Sequence, residues 1–319
     1  MPTFRSHPAA RWWARWRFAH PTICLEPDPK WNDCIAPIPL GVSVHSDLNE
    51  PGSRLREPEQ EETPIALLEN HIAVVTGAGS GIGRAIAAGY AREGARVVVL
   101  DINGTAAAET AKEIRDAKGN ADGFALDVTK RDDCVAMAKQ IADKIGPVSI
   151  LVNNAGIARR NGMLGAAEAV INDWEDIIAI NLTGVFNVTH AFLEPLRANK
   201  GRIVNMASIQ SFMHLRTPSS PAYTASKHGV LGFTRALAAE LGKDGVRVNA
   251  IGPGFIETPL NEKVRATNPD LVKVFVDHTP LGRAGKPEDI VGPAIFLASD
   301  LSAYVSGSIV MVDGGYRTI

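Results

Sequence analysis

The sequence predicts an α/β protein built on a doubly wound parallel sheet. Two observations support this prediction. Short apolar runs, typical of strands buried on both faces, alternate along the chain with segments of helical length and periodicity. A glycine-rich segment, 76–83, joins the first apolar run directly to the first helical segment. A single domain, residues 67–319, accounts for the whole alternation.

The elements follow one another in regular order. The first strand begins at Ile72 with Ile-Ala-Val-Val, an apolar run expected at the centre of a sheet. Strands are expected at 72–75, 96–100, 122–126, 149–152, 202–206, 246–250 and 308–312. Helices are expected at 84–93, 104–118 and 131–145, as one long helix ending near 199, and at 222–241 and 287–298. The segment 254–286 is looser.

The composition is that of an ordinary globular protein. The chain has 319 residues, of which 45% are hydrophobic and 21% charged, with a net charge of -2 and a pI near 6.5. This balance favours neither a nucleic-acid partner nor an anionic membrane, and no run of 18 apolar residues predicts a membrane span. Cys24, Cys34 and Cys134 form no metal-spaced pair, so we expect no metal and a cytoplasmic, reducing location.

Residues 1–66 differ from the rest. They hold ten of the 20 prolines and four of the five tryptophans without strand or helix periodicity, which predicts an extension rather than a packed domain. Its first 25 residues carry four arginines and no acidic residue, a pattern shared by organellar targeting peptides. A disordered tail, or an upstream stretch that is not part of the working protein, fits the same composition.

The glycine-rich turn predicts a dinucleotide site of the Rossmann type. Glycines at 77, 79, 81 and 83 let the backbone approach a pyrophosphate at a helix N-terminus. Asp101 ends the second strand, where a carboxylate accepts hydrogen bonds from the ribose hydroxyls and repels a 2'-phosphate. No basic residue stands at 80, 102 or 103, so we expect NAD rather than NADP. A helix cap is the alternative role for Asp101.

Tyr223 and Lys227 are a candidate proton-transfer pair. Four residues apart on a predicted helix, they share one face, and a nearby ammonium favours the phenolate. A tyrosine so placed can act as general acid and base. An amphipathic helix with one Tyr and one Lys on an exposed face is the alternative.

Together with the motifs around it, the turn makes residues 66–319 resemble the short-chain dehydrogenase/reductase family. The shared pattern starts with Thr-Gly-x-x-x-Gly-x-Gly at 76–83 and includes Asn-Asn-Ala-Gly at 153–156. It continues through Asp127-Val128, Asn181, Ser208, Tyr223, Lys227, Asn249, Pro253-Gly254, Thr258 and Val312-Asp-Gly-Gly315.

The resemblance implies a reaction and a set of residues. Hydride passes between a substrate carbon and nicotinamide, Tyr223 exchanges the proton, and Ser208 hydrogen-bonds the reacting oxygen. Lys227 holds the nicotinamide ribose, and Asn181 positions a water that links Lys227 to solvent. Expected cofactor contacts are Thr76, Gly77, Ser80, Gly81, Ile82, Gly83, Asp101, Asp127, Val128, Asn154, Ala155, Gly156, Tyr223, Lys227, Pro253, Gly254, Ile256 and Thr258.

The substrate is left open by the sequence. Arg159-Arg160 resembles the basic pair of sugar-acid dehydrogenases, while the C-terminal third resembles both polyol dehydrogenases and β-ketoacyl carrier-protein reductases. The loop between Ser208 and Tyr223 is long, and expected substrate contacts are Arg159, Gln210, His214 and Arg216. A non-catalytic NAD-binding regulator is a further alternative. The family forms dimers and tetramers through the region of helix 222–241, so we expect a homo-oligomer.

Overall fold

The computed structural model describes residues 66–215 and 219–318. The predictions for the N-terminal extension and for Arg216 therefore lie outside the described residues. Within these ranges, seven parallel strands form one sheet in the order β3-β2-β1-β4-β5-β6-β7. The predicted doubly wound α/β fold is confirmed.

The strands match the apolar runs of the sequence. In β1, Ala73 and Val75 face one side of the sheet while Val74 faces the other, and all three are fully buried. The strands are β1 Ile72–Thr76, β2 Arg96–Asp101, β3 Asn120–Ala125, β4 Ile150–Asn153, β5 Arg202–Met206, β6 Arg247–Pro253 and β7 Ile309–Val312.

Helices cover both faces of the sheet. Three of them, α1, α2 and α10, enclose one apolar core with Tyr90 at its centre; α3, α5, α6 and α7 enclose the other around Phe192. The helices are α1 Gly81–Arg92, α2 Gly104–Asp116, α3 Arg131–Lys144, α4 Ala167–Ile178, α5 Gly184–Ala191, α6 Leu193–Ala198, α7 Pro221–Leu241, α8 Pro259–Thr267, α9 Pro269–Asp277 and α10 Pro287–Ala298. No helix in the described part of the chain is both long and apolar enough to cross a bilayer.

The long helix predicted to end near 199 is interrupted. It consists of α4, a π-helical turn at Ala179–Thr183, α5 and α6. The turn is centred on Asn181, whose side chain is fully buried and bonds the backbone of Ile157 instead of facing solvent. A side chain inserted at this point explains the wider turn, because π-bulges often occur where a functional group must be re-aimed.

The predicted loose segment 254–286 contains two short helices. Each begins with a proline at its first position, Pro259 in α8 and Pro269 in α9. The Asn268 side chain accepts a hydrogen bond from the Leu271 N–H and caps α9. The aromatic ring of Phe275 in α9 stacks on Phe255, which ties this segment to the end of β6.

Candidate active site

One large cleft opens at the carboxyl ends of the strands. It has a volume of about 580 Å3 and lies where β1 and β4, neighbours in the sheet, lead to helices on opposite faces. Ligands of doubly wound sheets bind at such a point, where the strand order reverses. Residues from the ends of six strands line it, which brings distant parts of the sequence together.

The glycine-rich turn forms the floor of one half of the cleft. Gly77 has a φ of 61°, a conformation that favours glycine, and a Cβ there would lie 2.8 Å from Ala155 Cα. A Cβ on Gly83 would collide with the Gly77 carbonyl oxygen. Ser80 precedes α1 and makes no side-chain cap, and the first residues of α1, Gly81 and Ile82, line the cleft with it. The N–H groups at this helix N-terminus suit a pyrophosphate.

The Asn-Asn-Ala-Gly signature holds this turn in place. The Thr76 hydroxyl accepts hydrogen bonds from the backbone N–H groups of Asn154 at 3.0 Å and Ala155 at 3.1 Å. The Asn154 amide donates in return to the carbonyls of Thr76 and Gly77, at 2.9 and 3.0 Å. Thr76 and Gly83 therefore shape the turn from behind, and neither lines the cleft.

Two carboxylates line the cleft where β2 and β3 end. Asp101 Oδ2 accepts from the Gly79 N–H at 3.0 Å and Oδ1 from the Asn103 N–H at 2.9 Å, which fixes the carboxylate at the rim. Asp127 is held by Thr129, whose hydroxyl donates to it at 2.7 Å. Val128 next to it also lines the cleft. Among the described residues that line the cleft, no lysine or arginine is adjacent to Asp101, either in the sequence or at the end of β2.

Ser208 lies just beyond β5, and a backbone hydrogen bond orients its hydroxyl. Its oxygen accepts a hydrogen bond from the Gln210 N–H at 3.1 Å and caps the short 3-10 turn at Ile209–Ser211. Because the hydroxyl oxygen is an acceptor in this bond, its own proton is free to be donated to another oxygen. Ser208 is buried and lines the cleft.

Tyr223 and Lys227 lie on one face at the start of α7. Burial raises the pKa of Tyr223, while a hydrogen bond with Ser208 and the charge of Arg160 oppose that rise. The Lys227 ammonium lies 5.6 Å from the Tyr223 ring centroid and donates to the Met206 carbonyl at 2.7 Å. Burial lowers the pKa of Lys227 to about 8. The pair therefore lies in a partly desolvated pocket, where burial shifts the pKa values of both side chains.

Asn181 lies behind this pair. Its Oδ1 accepts from the Ile157 N–H at 2.8 Å and its Nδ2 donates to the Ile157 carbonyl at 2.9 Å. The same Nδ2 is 3.4 Å from the Ser226 hydroxyl. The Asn181 side chain therefore makes no direct hydrogen bond with Lys227; it fixes the backbone segment that follows Gly156.

The end of β6 closes the cleft on the side opposite the glycine-rich turn. Pro253 is the last residue of β6, and the backbone then continues along the cleft to Ile256, which bridges to Gly285. Thr258 precedes α8, and its N–H donates to Asn261 Oδ1 at 3.1 Å. A Cβ on Gly81 would lie 3.5 Å from Thr258, so this segment faces the glycine turn across the cleft.

The two neighbouring arginines have different partners. Arg159 forms ion pairs with Asp176 at 2.6 Å and Asp173 at 3.6 Å. Arg160 has a buried Nη1 without a hydrogen-bond partner among the described residues, and burial lowers the pKa of its guanidinium. Both line the cleft, and the charge available to a ligand is that of Arg160.

Most predicted site residues meet at this cleft. The lining includes Gly77, Ser80, Gly81, Ile82, Asp101, Asp127, Val128, Asn154, Ala155, Gly156, Arg159, Ser208, Gln210, Tyr223, Lys227, Pro253, Gly254, Ile256 and Thr258. Thr76, Gly83 and Asn181 lie behind it, and His214 is exposed on its outer side.

Sequence reasoning missed two contributors. Arg160 was visible as half of a basic pair, but the acids that neutralise Arg159 lie on α4, and nothing in the local sequence shows which arginine they reach. Thr224 lies inside the Tyr-x-x-x-Lys motif, and its hydroxyl donates to the Gln210 side chain at 2.8 Å. Apolar residues of the 254–286 segment, such as Phe275, also line the cleft.

The fold and the cleft define a dinucleotide-binding protein of the doubly wound class. The family model described as "Enoyl-(Acyl carrier protein) reductase" matches residues 77–317. The chain belongs to the short-chain dehydrogenase/reductase family.

Individual relatives have different activities. The chain is 40% identical over 250 residues to a 3-oxoacyl-[acyl-carrier-protein] reductase of Thermotoga maritima, covering 78% of this chain and 98% of that protein. It is 41% identical to the galactitol 2-dehydrogenase of Cereibacter sphaeroides, covering 78% of this chain and 96% of that protein. A solved gluconate 5-dehydrogenase from Burkholderia cenocepacia, in complex with NADP and tartrate, is 35% identical with a TM-score of 0.74, covering 80% and 98% of the two chains.

Proposed function

We propose that the protein is an oxidoreductase that transfers hydride between a nicotinamide dinucleotide and a secondary alcohol or its ketone on a sugar, polyol or sugar acid. The observation that supports it most strongly is the convergence of Tyr223, Ser208 and the buried Lys227 on the cleft that begins at the glycine turn. When bound, the nicotinamide supplies the hydride acceptor or donor. The galactitol and gluconate dehydrogenases among the relatives support the substrate class.

The side chains of the cleft handle the proton. In the oxidation direction, Tyr223 Oη accepts the proton of the substrate hydroxyl. The Ser208 hydroxyl donates a hydrogen bond to the oxygen of that substrate hydroxyl. The positive charge of Lys227 near the ring favours the phenolate. Because the pKa of Lys227 is about 8, that support weakens as the pH rises above this value. Asn181 contributes by holding Ile157 and thereby the wall of the pocket.

We propose NAD as the preferred cofactor. The fixed Asp101 carboxylate accepts hydrogen bonds from ribose hydroxyls and repels a 2'-phosphate. The NADP bound to the gluconate 5-dehydrogenase is the opposite case in a relative. The test compares kcat/KM for NAD and NADP in the wild type and in Asp101→Asn. We expect NAD to be preferred and the preference to shrink by roughly 10-fold or more in the variant; a wild-type preference for NADP contradicts the proposal.

We further propose that Arg160 binds an anionic end of the substrate, as a sugar acid provides. A guanidinium without an acidic partner in a partly buried cleft gains most from a carboxylate, which it can bind with two parallel hydrogen bonds. Arg159 is already neutralised by Asp176 and serves to position the loop. A substrate carboxylate bound by Arg160 favours aldonates over neutral polyols as substrates.

Arg160→Met tests this choice. We expect the variant to raise KM for D-gluconate by roughly 10- to 100-fold, because a hydrogen-bonded charge pair is lost. KM for galactitol should change little, since galactitol has no anionic group for Arg160 to bind. Arg92→Met, at the exposed end of α1, is the control. Equal losses on both substrates would show that Arg160 acts on the structure of the pocket rather than on the carboxylate.

A carrier-protein reductase is the second candidate function. The relative from Thermotoga maritima, 40% identical, is the specific observation in its favour. Such an enzyme reduces a β-ketoacyl thioester, so a 3-oxoacyl thioester supplied with NADPH distinguishes it from a polyol or sugar-acid dehydrogenase. Rapid reduction of the thioester with no oxidation of galactitol, D-threitol or D-gluconate would favour the reductase. Cofactor binding without turnover of any of these would favour a regulator.

We propose that the protein forms a homo-oligomer through α4, α5 and α7. Large apolar side chains are exposed on this side, with Ile171 at 56%, Trp174 at 49% and Phe186 at 39% exposure. Gly232 on α7 is also exposed, and a Cβ there meets no atom within 4 Å, so a second chain can approach closely. Gly229 packs instead against Leu182 within the chain.

A further inference from the structure

We propose that Gln210 is a specificity-determining residue that donates a hydrogen bond to a substrate oxygen next to the reacting carbon, and that Thr224 and His214 are positioning residues that fix its amide. The inference rests on the proposed function, because it concerns the substrate of the same cleft. It follows from a chain of four polar side chains that runs from the outer loop to the cleft.

The chain of hydrogen bonds has one consistent direction. The Thr224 hydroxyl donates to Gln210 Oε1 at 2.8 Å. A hydroxyl has a single proton, so the contact of Thr224 with His214 Nδ1 at 3.0 Å requires the imidazole to donate. The other ring nitrogen of His214 then accepts from the Ser219 hydroxyl at 3.3 Å. Each donor in the row thus polarises the next.

This direction determines what Gln210 presents to the substrate. Its Oε1 is occupied by Thr224, so the amide NH2 group remains for a ligand. The Gln210 side chain is buried, with 8% exposure, and lines the cleft, while its Nε2 has no partner among the described residues. A donor that is held in place on the wall of the cleft favours a ligand that can accept and disfavours one that cannot.

The position of Gln210 relates this donor to the reacting oxygen. Its backbone N–H donates to the Ser208 hydroxyl at 3.1 Å. The Gln210 side chain therefore belongs to the same short turn that Ser208 caps, and Ser208 is the residue proposed to hydrogen-bond the reacting oxygen. A substrate held by Ser208 and Tyr223 therefore offers its neighbouring oxygen to Gln210. The substrate class implied is a vicinal diol, or an α-hydroxy or α-keto carbonyl compound, rather than an isolated secondary alcohol.

The positions predicted as substrate contacts divide accordingly. Gln210 touches the substrate, whereas His214 is exposed and acts only through Thr224. Thr224, between Tyr223 and Lys227 in the sequence, thereby links α7 to the 3-10 turn after β5. Loss of either positioning residue leaves Gln210 free to rotate its amide.

The test is a selectivity ratio: kcat/KM for butane-2,3-diol divided by kcat/KM for butan-2-ol, with NAD. We expect the wild type to prefer the diol by roughly 10-fold, the value of one good hydrogen bond in a partly buried site. Thr224→Val and Gln210→Met should lower the ratio to that of an enzyme without this donor. His214→Leu should lower it to a value between that one and the wild-type ratio. Thr224→Ser, which keeps the hydroxyl, should retain the ratio.

A second readout separates the positioning role from damage to the fold, because such damage would also weaken cofactor binding. Binding of NADH, followed by its fluorescence, should be the same in Thr224→Val, Thr224→Ser and wild type. A wild type that oxidises galactitol, D-threitol or D-gluconate but does not favour the diol over butan-2-ol contradicts the assignment of Gln210. A Thr224→Val ratio equal to that of the wild type contradicts the role of Thr224. A wild type that oxidises none of these alcohols contradicts the proposed function itself.

Discussion

At the scale of single residues, the site is defined by which charges lack a partner. Arg159 is neutralised by two aspartates, whereas Arg160 in the same loop has an unpaired buried nitrogen among the described residues. Lys227 is buried, and within the described residues the Met206 carbonyl is the one hydrogen-bond partner of its ammonium. Buried cations without acids cost stability, and proteins place them where a ligand or a reaction uses them.

The cost of burying Lys227 can be measured in the protein without ligand. Burial lowers the pKa of Lys227 from 10.5 to about 8, so the unfolded chain holds this proton more tightly. Wild-type stability therefore carries a penalty below pH 8 that is relieved as the pH rises toward 10.5. Lys227→Met lacks this penalty. Its unfolding free energy relative to wild type should fall by about 2 to 3 kcal/mol between pH 7 and pH 10, as measured by urea denaturation.

Lys243→Met, at an exposed lysine, is the matched control for this experiment. Taking the difference between each variant and the wild type at each pH removes the titration of all other groups. A Lys227→Met difference that is the same at pH 7 and pH 10 would show that Lys227 is not desolvated in the folded protein.

At the scale of elements, the glycine turn is the most constrained part of the fold. A Cβ on Gly83 collides with the carbonyl oxygen of Gly77, which itself is fixed by the Asn154 amide. The Gly77 carbonyl is a backbone group, so the backbone must move. The turn therefore links three elements, β1, α1 and the end of β4.

Gly83→Ala should destabilise the protein by about 1 to 3 kcal/mol, the usual cost of overpacking. It should also weaken NADH binding, because the displaced turn no longer aims the first N–H groups of α1 at the pyrophosphate. Gly292→Ala is the control: it is exposed in α10 with open space around its Cα, and alanine there should stabilise by about 0.5 to 1 kcal/mol. Thermal unfolding measures both. Equal effects at the two positions would contradict the constraint at Gly83.

The sequence predicts those elements whose pattern is local. The apolar strands, the glycine turn and the Tyr-x-x-x-Lys spacing each specify their structure within a few residues, and all appear near the expected positions. The π-helical turn at Asn181 depends on a contact with Ile157, 24 residues away, and the local pattern shows only a continuous helix. The partners of Arg159 and Gln210 are likewise long-range, which is why their distinct roles required the structure.

At the scale of the whole molecule, the matched family region and the described residues coincide closely. The family model matches 77–317, and the structure describes residues 66–215 and 219–318. We propose that residues 67–319 are sufficient for activity. A chain that begins at residue 64 should have the kcat and KM of the full chain within about twofold, as expected when no group of the cleft is removed. A loss of activity that is restored by residues 1–63 would contradict this proposal.

The proposed assembly gives a prediction of its own. Trp174→Glu places a charge within the exposed apolar surface of α4 and α5 and should shift the protein toward the monomer. Sedimentation velocity at micromolar concentration measures the change. Tyr304→Glu, at a fully exposed aromatic residue outside this surface, is the control. A wild type that sediments as a monomer would contradict the proposed homo-oligomer.

Proton transfer by Tyr223 in the cleft can be tested with a single variant that removes only its hydroxyl. Tyr223→Phe should oxidise the best substrate among galactitol, D-threitol and D-gluconate about 10²- to 10⁴-fold more slowly than wild type, the usual contribution of general acid–base catalysis. NADH binding should be retained, because the glycine turn and Asp101 are intact. Tyr304→Phe, at an exposed tyrosine, should leave turnover unchanged. Wild-type turnover by Tyr223→Phe would show that Tyr223 does not transfer the proton.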